Sequence, residues 1–573
     1  MKVTTIITQF LKKHGISTIF ELQGGMITSI IDEMHRMGGI NIVSMHHEQG
    51  AGFAADAYAR INNQPGVALA TSGPGATNLI TAIGGCFFDS VPAIFITGQV
   101  NLNEQKGDKP TRQIGFQETD IVSVVRPITK AAFAVTDAED IPAILEKAYT
   151  ISMEGRPGPV LIDIPMNIQN VDVQNTPPES DAEGYSYAKT GSISDFITEF
   201  QSALKSSKRP LCLVGRGVRA GAVTDKIIGF IEKYNLPLVT SLLAIDTIPY
   251  NHPNRVGFIG TYGNRWANYA LGTCDVLIVL GSRLDLRQTG SDMDTFRLNK
   301  RIFHVDIDES ELNNRVKDCI TLNVGLRDFF EQEIKTDNAG FVFEDWFKEI
   351  HCRYLKLPDT NELKAIKGIN PNKFIHSLSE ASHQAKAFTT DVGNNQMWAA
   401  QSIEILPEQH FLSSGGMGAM GYSLPAAIGA AFAIKGSPVV AISGDGGFQI
   451  NIQELQTIVR NKLPIKIVIL NNHCLGMIRQ FQDTYFDKCY QSTVWGYDAP
   501  DFVKIANAYG IEACSITEVS EIETGLSLLW KDPQQPFLLN VNLDIHTNVY
   551  PKTIFGNPIT RMEPEDNLDL DEV

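Results

Sequence analysis

Two short stretches carry oxygen ligands at the spacing that a diphosphate and a divalent cation require. Gly444-Asp445-Gly446-Gly447 follows the apolar run VVAIS, and after a helix-like segment a second apolar run, KIVIL, leads into Asn471-Asn472. A carboxylate at the end of one buried strand and an amide at the end of the next converge at the carboxyl edge of a parallel sheet, where such folds bind ligands. Both are hard oxygen donors, which suits Mg²⁺ with phosphate oxygens completing its octahedron. The glycines let backbone N–H groups approach phosphate closely, and the following helix N-terminus adds a favourable field. GDG alone also occurs in ordinary turns; the NN pair at the next strand end turns the reading towards a bound diphosphate.

The elements that position these residues repeat along the chain. VALATSGPGATNLITAI from Val67, LCLVGRGVRAGAV from Leu211 and VVAISGDGGFQINIQELQTIV from Val439 each run from apolar strand through glycine turn to helix, the unit of open α/β sheets. They predict an α/β fold of three doubly wound parallel-sheet domains, at about 1–170, 191–345 and 371–545, with a tail over 546–573. Candidate linkers are the Pro- and acid-rich stretch from Val171 to Ser192 and LKLPDTNELKAIKGINP near 355–371, and the acidic end EPEDNLDLDEV reads as mobile. A chain of 573 residues is long enough for several cores and a cleft between them.

Composition removes whole classes of function. No run approaches the roughly 20 apolar residues that span a bilayer. The first residues, MKVTTIITQFLKKHGIS, break every apolar stretch with polar ones and read as an amphipathic helix rather than a signal peptide, so cytoplasmic residence is expected. A net charge of −17 with no basic block disfavours nucleic acid. The eight cysteines show no CxxC pair or zinc spacing and read as reduced core thiols.

GDG followed by NN at this spacing resembles the cofactor signature of thiamine-diphosphate enzymes. Within them the chain resembles the acetolactate synthase large, catalytic subunits along nearly its whole length, through HEQGAGFAADAYAR, TSGPGATN, GFQETDIV, GRPGPVLIDIP, GSRLDLRQTG, DVGNNQMWAAQ, SSGGMGAMGYSLPAAIGA and NNHCLGMIRQFQ. The resemblance implies a pyrimidine-binding, a central flavin-type and a diphosphate-binding domain. It also implies Mg²⁺ held by Asp445, the Asn472 side chain and the Cys474 carbonyl, with Gly393, Asn394, Asn395, Gly446, Gly447, Gly476 and Met477 around the cofactor. By the same similarity Glu48 faces the aminopyrimidine ring. A carboxyl group hydrogen-bonded to that ring favours the imino tautomer, whose nitrogen then removes the weakly acidic thiazolium proton; desolvation at a domain interface would help Glu48 share the proton. Met420 matches the position that props the cofactor into its bent form, a proximity effect. The Gly418 carbonyl would accept the amino hydrogen, and Gln117 and Phe116 would approach the reacting carbonyl from the partner subunit.

The resemblance also implies FAD, on Gly215, Gly217, Gly281, Arg283 and Arg287, with Arg156 and Asp306 at matching positions. Arginines suit a diphosphate and an Asp past a strand suits a ribose hydroxyl. In this family the flavin does no net redox work in the ligation. Four departures bear on substrate: Met166 replaces a lysine, Phe481 a tryptophan and Tyr262 a histidine, and the loop NLNEQKGDKPTRQI is longer, with Lys106, Lys109 and Arg112 available to steer an anion.

The leading expectation is therefore a carboligase that decarboxylates pyruvate and passes the two-carbon unit to a second 2-keto acid, giving 2-acetolactate. The alternatives are the same donor chemistry with another ketone, such as a nucleotide-linked keto-sugar, and a pyruvate decarboxylase or oxidase. A non-catalytic scaffold is disfavoured because Glu48 and the GDG/NN ligands are all present. A homodimer or homotetramer with active sites at the subunit interface is expected, and whether a regulatory subunit binds is open.

Overall fold

The computed structural model describes residues 1–174, 191–333, 340–363 and 365–565. Most of the first candidate linker and the last residues of the acidic tail lie outside these.

Three six-stranded parallel sheets, each flanked by helices, organise the chain. The first contains β1 (Thr18–Leu22), β2 (Asn41–Ser44), β3 (Gly66–Ala70), β4 (Ala93–Gln99), β5 (Ala131–Ala134) and β6 (Pro159–Pro165), in the order β2-β1-β3-β4-β6-β5. The second contains β7 (Pro210–Val214), β8 (Leu238–Thr240), β9 (Arg255–Phe258), β10 (Val276–Leu280), β11 (Arg301–Asp306) and β12 (Ile320–Asn323), ordered β12-β11-β10-β7-β8-β9. The third contains β13 (Ala387–Thr390), β14 (His410–Ser413), β15 (Val439–Gly444), β16 (Ile465–Asn471), β17 (Glu512–Ile516) and β18 (Phe537–Asn542), ordered β14-β13-β15-β16-β18-β17. The expected fold class is the observed one.

The outer sheets share one topology and the middle sheet has another, the order of dinucleotide-binding folds. In each, the connections that leave two neighbouring strands run in opposite directions: at β1 and β3, at β7 and β10, and at β13 and β15. At such a point neighbouring connections diverge and leave a crevice at the carboxyl ends. The three strand–glycine–helix stretches of the sequence form β3, β7 and β15, so each lies at a crevice. β4, β6, β7, β10 and β16 are buried along their whole length, as strands covered on both faces must be.

The first and third domains share a hydrophobic core, in which the helix Glu48–Asn62 packs on the helix Ser423–Ala433. Both helices are rich in Ala and Gly, which lets their backbones approach closely. The expected amphipathic N-terminal helix is Val3–Lys13.

The second candidate linker is pinned rather than free. Asp359 is buried, its Oδ2 accepting from Ser402 at 2.5 Å and lying 2.8 Å from His376 Nε2, while His376 Nδ1 lies 2.6 Å from Glu404 Oε1. Burial alone would lower the His376 pKa, but bonding and attraction from Asp359 and Glu404 raise it from 6.5 to about 9. Because the folded-state value is the higher one, this stabilisation is complete below about pH 6.5 and is lost as pH rises through about 9. Thermal melts from pH 6 to 10 are expected to show a falling Tm across that window, and His376→Gln to flatten the fall. An unchanged slope in the variant would contradict this assignment.

Candidate cofactor site

At the carboxyl edge of the third sheet, Asp445 follows β15 and Asn472 follows β16. The Asn472 amide oxygen lies 2.8 Å from the Cys474 carbonyl oxygen and 3.2 Å from Asp445 Oδ1, so three acceptors face one another with no hydrogen between them. Reversing the amide would make two hydrogen bonds of these contacts. Left in place, it sets its oxygen beside those of Cys474 and Asp445, hard donors of the kind that Mg²⁺ takes beside a diphosphate. The Tyr497 hydroxyl donates to Asp445 Oδ2 at 2.8 Å. Burial pushes the Asp445 carboxyl up to about 6, and a cation would offset that cost.

The surroundings suit an anion. The helices Asn394–Ser402 and Gly476–Tyr485 both begin here, so their first N–H groups point to the same space. Asn394 Oδ1, Ser443 Oγ and Thr547 Oγ1 are buried with no hydrogen-bond partner among the described residues, the kind of group that a ligand completes. A Cβ on Gly476 would stand 2.4 Å from Asn472 Nδ2 and 2.5 Å from Asn394 Nδ2, so the backbone reaches the amides only because position 476 is glycine. Asn395 Nδ2 donates to the Asp391 carbonyl at 2.9 Å, tying Gly393 and Asn394 to the end of β13.

Met420 lies over this edge, its Cε 3.3 Å from where a Cβ on Gly446 would be. Its loop is held by Asp391, a residue that sequence reasoning missed. The Asp391 carboxylate accepts from Gly421 N at 2.9 Å, Ser423 N at 3.2 Å and Val392 N at 2.8 Å, and burial pushes its pKa up to about 6. A Cβ on Gly447 would stand 2.5 Å from Asp391 Oδ1. Gly447→Ala is therefore expected to displace the carboxylate and orphan buried amides, costing about 1–3 kcal/mol of stability for each. Chemical denaturation, together with thiamine diphosphate titration, measures it; native stability in the variant would refute the crowding argument.

Glu48 opens its helix behind His47, whose Nδ1 accepts from Gln49 N at 3.0 Å. The Glu48 carboxylate is buried, Oε2 accepting from Asn78 Nδ2 at 2.9 Å while Oε1 faces Gly75. Glu454 of the third domain accepts from His46 N at 3.0 Å, and burial pushes its pKa up to about 7. Asn451 Nδ2 reaches both Gln49 Oε1 at 3.1 Å and the Gly421 carbonyl at 2.8 Å, bridging the Glu48 helix to the Met420 loop. Glu454, Asn451 and Tyr497 were not legible in the sequence.

Gln117 sits on the Glu48 side with φ +67°, its carbonyl accepting from Ser72 Oγ at 2.8 Å beside Gly73. Phe116 is 80% exposed and is not drawn into the site within one chain. Gly418 adopts φ +63° in the Met420 loop. Glu118 closes the long loop by accepting from Lys106 N and Ile114 N, leaving Lys109 and Arg112 exposed. Half-exposed Phe481 packs on Tyr485 and Phe486 with ring centroids 4.7 and 5.6 Å apart, and Met166 begins a short helix after β6.

A cavity of about 960 Å³ opens at the crevice of the middle sheet and reaches Gly393 and Met477 of the third domain. Gly217 N donates to the Gly281 carbonyl at 3.0 Å, and side chains at Gly215 or Gly217 would collide with that second loop. Arg156, Arg216, Arg283, Arg287, Asp306 and Tyr262 contribute to the wall. Arg156 is engaged by Asp308 at 3.0 Å and Glu311 at 2.7 Å, whereas Arg216 keeps its Nε without a partner among the described residues. Burial pulls the Arg216 pKa down to about 10, so an anionic occupant would be welcomed there. Asp306 accepts from Asp308 N at 2.9 Å, and burial pushes its carboxyl up to about 6.

Comparison with known sequences agrees with this geometry. Residues 1–124 match the family described as thiamine pyrophosphate enzyme, N-terminal TPP binding domain; 197–332 match its central domain; and 391–541 match its C-terminal TPP binding domain. The chain belongs to the thiamine pyrophosphate enzymes and depends on that cofactor. Among its relatives are acetolactate synthase large subunits. That of Lactococcus lactis is 34% identical over 546 residues, covering 95% of this chain and 93% of that protein. The Escherichia coli isozyme 2 large subunit is 34% identical over 554 residues, covering 95% and 96%. The probable large subunit of Methanocaldococcus jannaschii is 36% identical over 565 residues, covering 95% and 92%.

Proposed function

We propose that this chain is a thiamine-diphosphate-dependent acetolactate synthase, which decarboxylates pyruvate and joins the two-carbon unit to a second 2-keto acid to form 2-acetolactate. The observation that carries the reading is the convergence of the Asp445, Asn472 and Cys474 oxygens beside unsatisfied buried groups, in a chain about a third identical to such synthases along its length.

Asp445, Asn472 and Cys474 would hold Mg²⁺, and Gly393, Asn394, Gly446, Gly447 and Gly476 would line the diphosphate. When bound, the cofactor supplies the electron sink and the basic ring nitrogen. Glu48 keeps one oxygen on Asn78 and turns the other to the gap left by Gly75, so it can share a proton with a ring nitrogen. Met420 sets the bend, the Gly418 carbonyl orients the amino group, and closure of the site excludes water. FAD would occupy the cavity, its diphosphate near Arg216 and Arg283 and a ribose at Asp306. The resemblance that places Gln117 and Phe116 at the reacting carbonyl from a partner subunit supports sites completed by a second subunit, in a homodimer or homotetramer, and Phe116 is exposed beside Gln117 as that requires. The units at 1–170, 191–345 and 371–545 with a 546–573 tail belong to this reading. So does a cytoplasmic location; among the described residues no helix is long and apolar enough to cross a membrane. The relatives' designation as large subunits points to a smaller regulatory partner in those proteins, and one here would be of that kind.

A second reading keeps the donor chemistry and changes the acceptor to another ketone, such as a nucleotide-linked keto-sugar. Exposed Lys109 and Arg112, on a loop whose base abuts Gly73, favour it. Incubating the protein with pyruvate, thiamine diphosphate, Mg²⁺ and FAD, with and without ketone acceptors, and identifying the products decides between them. Acetolactate from pyruvate alone is expected. Feeble acetolactate formation with fast coupling to a keto-sugar would overturn the first reading.

A further inference from the structure

We infer that Asp89 is a positioning residue that links filling of the middle-domain cavity to thiamine diphosphate binding, through the Gly415–Gly421 loop. This rests on the cofactor reading above. Asp89 belongs to the first domain, yet its Oδ1 accepts from Gly416 N at 2.6 Å and its Oδ2 from Gly415 N at 2.9 Å, both in the third domain. Oδ2 also accepts from Arg60 Nη2 at 2.9 Å. Buried Arg60 grips Asp56 through Nε at 2.7 Å and Nη2 at 3.0 Å, and donates through Nη1 to the Ser413 carbonyl at 3.1 Å. The Tyr422 hydroxyl donates to Asp56 Oδ1 at 2.6 Å. One buried ion network thus fastens the loop before and after Met417–Met420, the stretch that carries Gly418 and Met420.

The same network borders the cavity. Asp89, Gly415 and Gly416 form part of its wall together with Arg216, which is repelled by Arg60 and attracted by Asp56 and Asp89. An anionic occupant neutralises Arg216 and lies against Asp89, Gly415 and Gly416 on the same wall, and so favours the loop form that Asp89 and Tyr422 hold and Met420 needs. An occupant with such a preference for one loop state must favour thiamine diphosphate, and thiamine diphosphate must favour the occupant by the same factor.

The test is calorimetric titration of the full chain with thiamine diphosphate and Mg²⁺, with and without saturating FAD, and the reverse titration. FAD is expected to tighten thiamine diphosphate about tenfold, with the same factor in reverse. Asp89→Asn keeps the shape but removes the charge, and should bind both ligands with the linkage reduced to about twofold or less. Tyr422→Phe, which removes only the far anchor, should give an intermediate factor. Binding of both ligands without linkage in the native chain overturns this inference alone, as does full linkage in Asp89→Asn. If Asp89→Asn does not fold, Tyr422→Phe decides: reduced linkage supports the inference and full linkage overturns it. No thiamine diphosphate binding under any condition overturns the cofactor reading and this inference with it.

Discussion

Asp445→Asn is expected to weaken thiamine diphosphate binding in Mg²⁺ by more than about 100-fold and to abolish turnover at ordinary cofactor concentrations, since even residues behind a metal ligand cost roughly 10- to 100-fold when changed. The substitution keeps an acceptor for the Tyr497 hydroxyl, so the local packing should survive. It removes a buried carboxyl whose folded-state pKa is pushed from 3.8 up to about 6. A carboxyl raised on folding stabilises least when ionised: its penalty is absent below about pH 4 and grows as pH rises through about 6. The cofactor-free variant should therefore melt at or above the native temperature at pH 8, while binding is lost. Titration calorimetry and thermal melts read the two effects separately: a variant that is merely unfolded would lose binding without a native-like melt, and native affinity in Mg²⁺ would contradict the assignment.

Glu48→Gln is expected to cut turnover by roughly 10² to 10⁴, the range of a proton-transfer residue, with little change in cofactor affinity. Gln can still accept from Asn78, and the diphosphate contacts lie on the other domain, so binding is spared. What disappears is the ability to share a proton with the ring, an interaction needed as the reaction proceeds; kcat should fall while KM for pyruvate changes little. Steady-state kinetics at saturating cofactor would show this, and near-native turnover would remove Glu48 from its assigned role.

The sequence made legible the parts whose physics is local. β3, β7 and β15 announce themselves as apolar runs ending in glycine, because a buried parallel strand and the crevice behind it demand that composition. Asp445 and Asn472 stand at such strand ends, so their convergence followed from topology alone. Asp391, Glu454, Tyr497 and Asp89 were illegible because their partners are distant in the chain; Asp89 meets Gly415 across 326 positions. No periodicity encodes such a contact. Nor does composition separate the middle sheet order from the outer ones, since all three are built from the same strand–helix units. Arg156 stood out by resemblance and lies on the cavity wall, held there by Asp308 and Glu311, and Arg216, between the two glycines that sequence reading favoured, is buried on the same wall with no partner for its Nε among the described residues. Phe116, which the resemblance places near the reacting carbonyl from a partner subunit, is exposed within this chain.

The central claim is that one pyrophosphate-bearing coenzyme is clamped through a divalent ion at Asp445 and Asn472. Direct titration of thiamine diphosphate into the full chain, with Mg²⁺ and then with the ion removed by EDTA, tests it. Saturable binding that vanishes with the metal is the predicted result; no affinity with Mg²⁺ present, or affinity indifferent to chelation, would contradict it.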